Sequence, residues 1–337
     1  MEIKNESVLF TKYITEYLQN HIYKHKHISS HTAKSHKLSL KLYLEFLEEN
    51  KVTIKTIKFD SFNYKNLNNW LDWLEKSRDN KPQTINLRLS SIRVFLEFLS
   101  YKNIELSYLY NSSFQVKKRK QLKRKIVGMS KNGIKALFNE IDQNTKTGLR
   151  DFTLLVLMYN TAARIDEILS IKLSDLYLDC DKPCVSIIGK GNKLRTLFLL
   201  PKTVEILRKY MTIFFNETKP DSLLFYSKTK GYSFKLTQPA IDKQIKKWAA
   251  LANPKCSDVP CSLHAHQLRH AAATHWLEEG INIVQISYLL GHENLETTMV
   301  YLEITTEQKA IALSSIDDNE NIIKKWNDKT KLSDLLK

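Results

Sequence analysis

The sequence predicts a mainly α-helical protein with one small β-sheet, and three observations lead there. Glycine and proline supply only 8 and 7 of the 337 residues, too few turn and breaker positions for a many-stranded barrel or sandwich. Apolar residues recur at three- and four-residue intervals through long stretches, the period of a helix face. β-Branched and apolar runs flank a glycine-containing turn near residue 190, as the strands of a hairpin do. The length reads as about two domains, and 42% hydrophobic residues suffice to fill their cores.

The elements follow in order. Thr32 to Glu49 reads as an amphipathic helix, with Leu40, Tyr43, Leu44 and Leu47 on its apolar stripe and Lys34, Lys37 and Lys41 off it. Trp70, Leu71, Trp73 and Leu74 sit at helical spacing and are expected in a core, not stacked on bases. Thr84 is a plausible N-cap for a helix whose buried face is Ile85, Leu89, Ile92, Leu96 and Leu99. The histidines between His21 and His36 lack acidic or cysteine companions and are expected at the surface. Residues 117–125 then place seven basic side chains in nine positions, a run that repels itself and reads as a solvated domain boundary. Beyond it, Ser130 caps a helix through Ile141, and Phe152 to Tyr159 is a buried helix ending near Asn160. Val185–Ile188 and Thr196–Leu200 form the hairpin, with Lys190 at its tip. Leu223 to Tyr226 is a further candidate strand, and helices resume from Leu263.

Charge narrows the function classes. Lys and Arg number 52 against 36 Asp and Glu, a formal net charge of +16 that calls for a polyanionic partner. The basic run suits phosphates along a nucleic-acid groove. No stretch approaches the roughly 18 apolar residues of a membrane span, and residues 1–6 carry no signal-like segment, so a cytosolic, reducing compartment is expected. The four cysteines are then expected as thiols. Cys180/Cys184 and Cys256/Cys261, with His264 and His266 behind the second pair, raise a zinc site, although their intervals miss the usual spacing.

No P-loop and no acidic motif for holding magnesium stands out. Arg164, Lys190, His266, Arg269, His292 and Tyr301 are instead a set of cationic and proton-carrying groups with one phenol. Two guanidiniums fork onto the non-bridging oxygens of a phosphate and stay with them as charge builds, the task a metal performs elsewhere.

Here a resemblance becomes specific. Thr161–Leu169, Gly189-Lys190-Gly191-Asn192-Lys193, His266-Gln267-Leu268-Arg269-His270, Leu290-Gly291-His292 and Tyr301, nine residues past His292, resemble in order the boxes of the tyrosine recombinase, or phage integrase, family. The likeness covers residues 127–310 specifically; the N-terminal part matches in style, as a helical SAM-like core-binding domain. It implies that Tyr301 attacks a scissile DNA phosphate, leaving a 3′-phosphotyrosine and a free 5′-hydroxyl. Arg164 and Arg269 would hold the phosphate oxygens, Lys190 would protonate the departing 5′-oxygen, His266 would assist proton transfer at the tyrosine, and His292 would hydrogen-bond the phosphate. Glu167 and His270 resemble supporting positions behind the site. Tyr288 competes with Tyr301 and Lys193 with Lys190, but the nine-residue relation and the Gly-Lys-Gly box favour Tyr301 and Lys190.

The same resemblance implies domains at 1–116, 127–312 and a tail at 313–337, with a linker at 117–126. Lys117, Lys118, Arg119, Lys120, Lys123, Arg124 and Lys125 are expected on DNA, with Thr84 and Arg88 of the N-terminal domain. It implies strand exchange through a Holliday junction in a homotetramer on double-stranded DNA, a monomer when free, a tail docked on a neighbouring protomer and helper DNA-bending proteins. Neither metal, ATP nor another cofactor is implied, and a bacterial nucleoid is the expected setting. One position departs: Ala162 stands where the family usually has glycine, so an ordinary helical backbone is expected there. A helix-turn-helix over Ile283–Tyr301 in a non-enzymatic DNA binder, a type IB topoisomerase and a metal-dependent transposase are the competing readings.

Overall fold

The structure, a computed structural model, describes residues 6–22, 30–121, 129–215, 219–229 and 232–302. The chain divides into two compact units, Met1–Arg124 and Lys125–Lys337, and the division falls inside the basic run.

The first unit is helical: α1 (Glu6–Glu16, continued by a π-helical turn Tyr17–His21), α2 (Ser30–Glu49), α3 (Tyr64–Lys76), α4 (Pro82–Lys102) and α5 (Ser107–Ser113). Its core is aromatic. Tyr43 stacks on Phe62 with centroids 4.5 Å apart and meets Trp70 edge-on at 5.0 Å, while its hydroxyl donates to the Ser61 carbonyl at 2.7 Å. Trp70, Leu71 and Leu74 are buried, as their spacing implied, and Trp73 is half-buried with its indole N–H on Glu49. Leu40, Tyr43 and Leu47 of α2 face this core, whereas Lys34, Lys37 and Lys41 are exposed.

Two expectations are corrected in this unit. Helix α4 starts two residues before Thr84: Pro82 is its first residue, pre-set to helical φ, and extended Lys81 is the N-cap. His36 is buried, because its Nδ1 finds the Tyr17 hydroxyl at 2.7 Å; His21 stacks on the same tyrosine. His25, His27 and the His31 side chain lie outside the described residues. Arg119 is bound back to its own unit by Asp72 and Glu75, and its backbone N–H and carbonyl are both held by Asn86. Lys117, Lys118 and Lys120 are exposed. Lys123, Arg124 and Lys125 lie outside the described residues. Thr84 and Arg88, one turn apart on α4, are half-buried.

The second unit begins with α6 (Lys131–Asn139), capped by Ser130 Oγ accepting from the Gly133 N–H, and α7 (Lys146–Thr161), which carries the buried run. After α8 (Ile165–Ile168) comes an antiparallel sheet in the order β1 (Leu176–Tyr177), β2 (Cys184–Ile188), β3 (Leu194–Phe198). Val185 pairs with Leu197 and Ile187 with Arg195, so one sheet face packs on the core while Lys190 lies in the 3-10 turn that joins the strands. Helix α9 (Pro201–Phe214) leads to a hairpin of β4 (Tyr226–Thr229) and β5 (Tyr232–Lys235). The strand expected from Leu223 thus begins at Tyr226; Leu224 and Phe225 are core residues, and Leu223 makes one bridge to Lys172. Helices α10 (Gln238–Ala252), α11 (Ala265–Glu278), α12 (Ile283–Leu290) and α13 (Glu296–Met299) complete the unit. The four residues of α13 are too short for a recognition helix, which removes the helix-turn-helix reading of Ile283–Tyr301. The tail from residue 303, with the proposed docking segment, lies outside the described residues.

Candidate active site

Five short segments meet around the C-terminal ends of α7 and α12. Helix α7 stops at Ala162, whose φ of 47° and ψ of 24° place it in the left-handed region. The expectation of an ordinary helical backbone is therefore corrected: alanine here takes the conformation glycine adopts freely. That reversal aims the Ala162 carbonyl at Arg269, which donates Nη1–H to it at 2.8 Å. Helix α12 ends in the same manner at Gly291, φ 65°, and the Leu290 carbonyl accepts from Arg269 Nη2 at 2.8 Å. Two left-handed helix ends thus clamp one buried guanidinium.

Arg164 follows the first of these turns as the N-cap of α8. Its backbone N–H and Nη1 donate to the two oxygens of Glu167, at 2.8 and 3.0 Å, while the side chain stays 37% exposed. Arg195 of β3 binds the other side of Glu167, with Nη2 on Oε2 at 2.6 Å and Nη1 on Oε1 at 3.3 Å. Burial alone would raise the Glu167 carboxyl; the hydrogen bonds from Arg195 and Arg164 outweigh it and hold the group below its ordinary value.

His292 Nε2 lies 3.0 Å from Arg269 Nη2 and its Nδ1 lies 2.8 Å from Thr298 Oγ1. Arginine has no acceptor, so Nε2 must be the bare nitrogen and Nδ1–H donates to the threonine. Burial, then Arg269 and Arg164, push His292 down to about 4. Arg269 itself falls to about 10, through burial and then Arg164, and remains charged at neutral pH.

Tyr301 is 1% exposed, and its hydroxyl sits 2.9 Å from His270 Nδ1. Burial raises its phenol, with Arg269 and Arg164 pulling the other way. His266, one helical turn before His270 on α11, is exposed and contacts the His270 ring edge-to-face at 4.2 Å; burial and then Arg269 lower its proton affinity. Of the competitors, Tyr288 is 75% exposed, whereas Lys193 pairs with Glu293, the residue after His292; the Lys190 side chain lies outside the described residues. The arrangement is an anion seat, two guanidiniums ringed by neutral histidines, with one protonated phenol inside it.

Arg195 and Thr298 were missed by sequence reasoning. A signal existed for Arg195: the alternation of β3 puts it on the inward face with buried Leu197, where an arginine requires a carboxylate. Among the described residues no group of three or more histidine, cysteine or acidic side chains stands together as a metal site, and all four cysteines are free.

Comparison with known proteins extends the agreement across the chain. The model of the phage integrase family matches residues 128–308, and that of the phage integrase N-terminal SAM-like domain matches residues 14–103. Tyrosine recombinase XerC of Staphylococcus carnosus is 30% identical over 83% of this chain and 88% of its own, and that of Staphylococcus haemolyticus 29% over 84% and 89%. In fold, the chain resembles the XerH site-specific recombinase bound to its palindromic difH substrate after cleavage (TM-score 0.68, 19% identity, 94% and 91% of the two chains). It also resembles the Tn1549 transposon integrase bound to transposon right-end DNA (TM-score 0.67, 16% identity, 90% and 98%). Sequence boxes, fold and relatives converge, and the chain belongs to the phage integrase family of tyrosine recombinases, enzymes that transfer DNA strands.

Proposed function

We propose that the protein cuts and rejoins duplex DNA at specific sites, with Tyr301 as the nucleophile. The Tyr301 oxygen bonds to the scissile phosphorus as the bond to the 5′-oxygen breaks, giving a 3′-phosphotyrosine. Arg164 and Arg269 hold the non-bridging oxygens, His292 donates to them once the phosphate's charge brings a proton onto Nε2 in place of its contact with Arg269, Lys190 protonates the leaving oxygen and His266 assists proton transfer. A 5′-hydroxyl from a second duplex then attacks the phosphotyrosine and reseals the strand; because the ester is conserved, no ATP is consumed. The observation that carries this reading is the convergence of two guanidiniums, clamped by Ala162 and Leu290 or held by Glu167, on a buried phenol.

Residues 1–116 and 127–312 act as the two DNA-gripping domains. Lys117, Lys118 and Lys120, with Lys123, Arg124 and Lys125, neutralise phosphates along the linker, and Thr84 and Arg88 contact the same DNA. The working assembly is a homotetramer on two DNA sites, joined through the 313–337 tail and aided by DNA-bending proteins, on the nucleoid of a bacterial cytoplasm. DNA-bound XerH and Tn1549 integrase support the duplex as substrate. The test is cleavage of nicked duplexes tiling the DNA that flanks the gene, in EDTA, with wild type and Tyr301→Phe. A covalent protein–DNA band confined to wild type is expected; cleavage that needs magnesium and survives Tyr301→Phe would sink the proposal.

A further inference from the structure

We infer that His270 is the group that takes the proton from Tyr301 as the tyrosine attacks, and that returns it when the strand is resealed. The inference rests on the phosphotyrosine reading above and assigns a step within it.

Geometry selects His270 by elimination. Arg164 and Arg269 surround the phenol with charge but have no lone pair to offer. His292 has both nitrogens engaged, Nε2 by Arg269 and Nδ1 by Thr298, so it cannot accept a proton without releasing one of them. His266 meets the site through the His270 ring, not through the Tyr301 hydroxyl. His270 Nδ1 stands 2.9 Å from the Tyr301 oxygen, within the range that direct proton transfer needs. Its place follows from the helix: residues 266 and 270 are one turn apart on α11, so the first ring reaches the surface and the second sits beneath it against the buried tyrosine.

Electrostatics give the step its timing. Burial, then His266 and Arg269, hold His270 down at about 4, so at neutral pH its ring is neutral, and in the tautomer that carries hydrogen on Nε2 the Nδ1 lone pair meets the Tyr301 hydroxyl. Burial and the Arg269 charge make it a poor base while no anion is bound. A scissile phosphate seated on Arg164 and Arg269 brings negative charge that offsets theirs and raises the proton affinity of the ring. The base is therefore strengthened by the substrate it serves, which suppresses tyrosine ionisation before DNA is in place. The step balances: the Tyr301 O–H bond breaks as Nδ1–H forms, the oxygen–phosphorus bond forms as the bond to the 5′-oxygen breaks, and that oxygen takes a proton from Lys190. Resealing runs the same transfers backwards, and His270 ends as it began.

The test uses a nicked duplex that wild type cleaves, prepared twice, once with the natural 5′-oxygen bridge and once with sulfur in its place. A thiolate leaves without a proton, so sulfur relieves a defect on the leaving-group side and leaves a defect at the nucleophile intact. His270→Gln retains polar side-chain groups but cannot carry the proton. It is expected to slow single-turnover covalent complex formation about 100-fold or more on both duplexes, with DNA affinity retained. Lys190→Ala is expected to recover on sulfur. Placing a more acidic fluorotyrosine at position 301 of the His270→Gln chain should restore part of the rate. Should the glutamine variant not fold, His270→Asn enters the same comparison. A His270 variant within a few-fold of wild type, or one rescued by sulfur, overturns the inference while wild-type complexes leave the phosphotyrosine reading standing. Wild type forming no covalent complex on any tiled duplex overturns both.

Discussion

Ala162 shows how much a single backbone angle can carry. Its left-handed conformation costs an L-residue about 1–2 kcal/mol, yet it points a carbonyl at Arg269. Glycine adopts that conformation without the steric cost and gives back only part of the gain as unfolded-state entropy. Ala162→Gly is therefore expected to stabilise the protein by about 0.5–1 kcal/mol, a rise of about 1–4 °C in thermal melts. A fall in Tm would show that the methyl group, packed with Ala272, Ile286 and Tyr301, contributes more than its strain costs. A second expectation concerns His270 and His292, both depressed to about 4, chiefly by burial and then by charged or titratable neighbours: His266 and Arg269 beside His270, Arg269 and Arg164 beside His292. Unfolded, each titrates near 6.5. Between those values the unfolded chain binds more protons, so stability is intact above about pH 6.5 and falls as pH drops toward 4. Allowing for solvent screening of half-exposed rings, the loss is on the order of 2 kcal/mol. Calorimetry across that window should show Tm falling by several degrees, and less in a His270→Gln, His292→Gln double variant.

At the scale of elements, the β2–β3 hairpin is tied to the candidate active site through Arg195. A Cβ added at Gly189 would lie 2.8 Å from its Nη1, and one at Gly291 would lie 3.1 Å from the same atom, so its guanidinium lies against two glycines from separate motifs. Arg195→Ala leaves the Glu167 carboxylate buried, with Arg164 as its remaining partner, and is expected to cost about 3–5 kcal/mol in urea unfolding. Lysine cannot reproduce the two-point contact, so Arg195→Lys should recover only part of that loss. The hairpin tip holds Lys190 within the turn, and if it enters the minor groove beside the leaving oxygen, its amides should exchange more slowly on DNA. Identical hydrogen exchange with and without DNA at 188–194 would remove that role. The elements themselves were legible wherever periodicity is local. The stripe of α2, the run inside α7 and the Ser130 cap all depend on neighbours within about one turn. The α4 start is ambiguous in sequence because a proline first residue marks a helix boundary as well as a threonine cap does, and Pro82 and Thr84 stand two residues apart.

For the whole molecule, charge is the property that composition exposes most directly and folding redistributes most. Of the described part of the basic run, Lys117, Lys118 and Lys120 are exposed, whereas Arg119 is bound back on Asp72 and Glu75. Replacing the three lysines with alanine should lower the salt slope of DNA binding by about 0.9 per lost phosphate contact, up to about 3 in all. Arg119→Ala should change that slope much less and lower the thermal stability of the protein instead. Equal slopes for the triple variant and wild type would show that the segment does not neutralise phosphates.

The sequence by itself determined the helical class, the order of the catalytic boxes and the family, because spacing along one chain is enough to define each of them. It also favoured Tyr301 over Tyr288 through a nine-residue interval; the structure buries the first and exposes the second. Only the tertiary structure decided which histidine meets the tyrosine, that Ala162 turns left-handed and that Arg195 joins three motifs. Those contacts bridge 31, 107 and 28 residues of chain, and no local period reports on side chains brought together across such distances by packing.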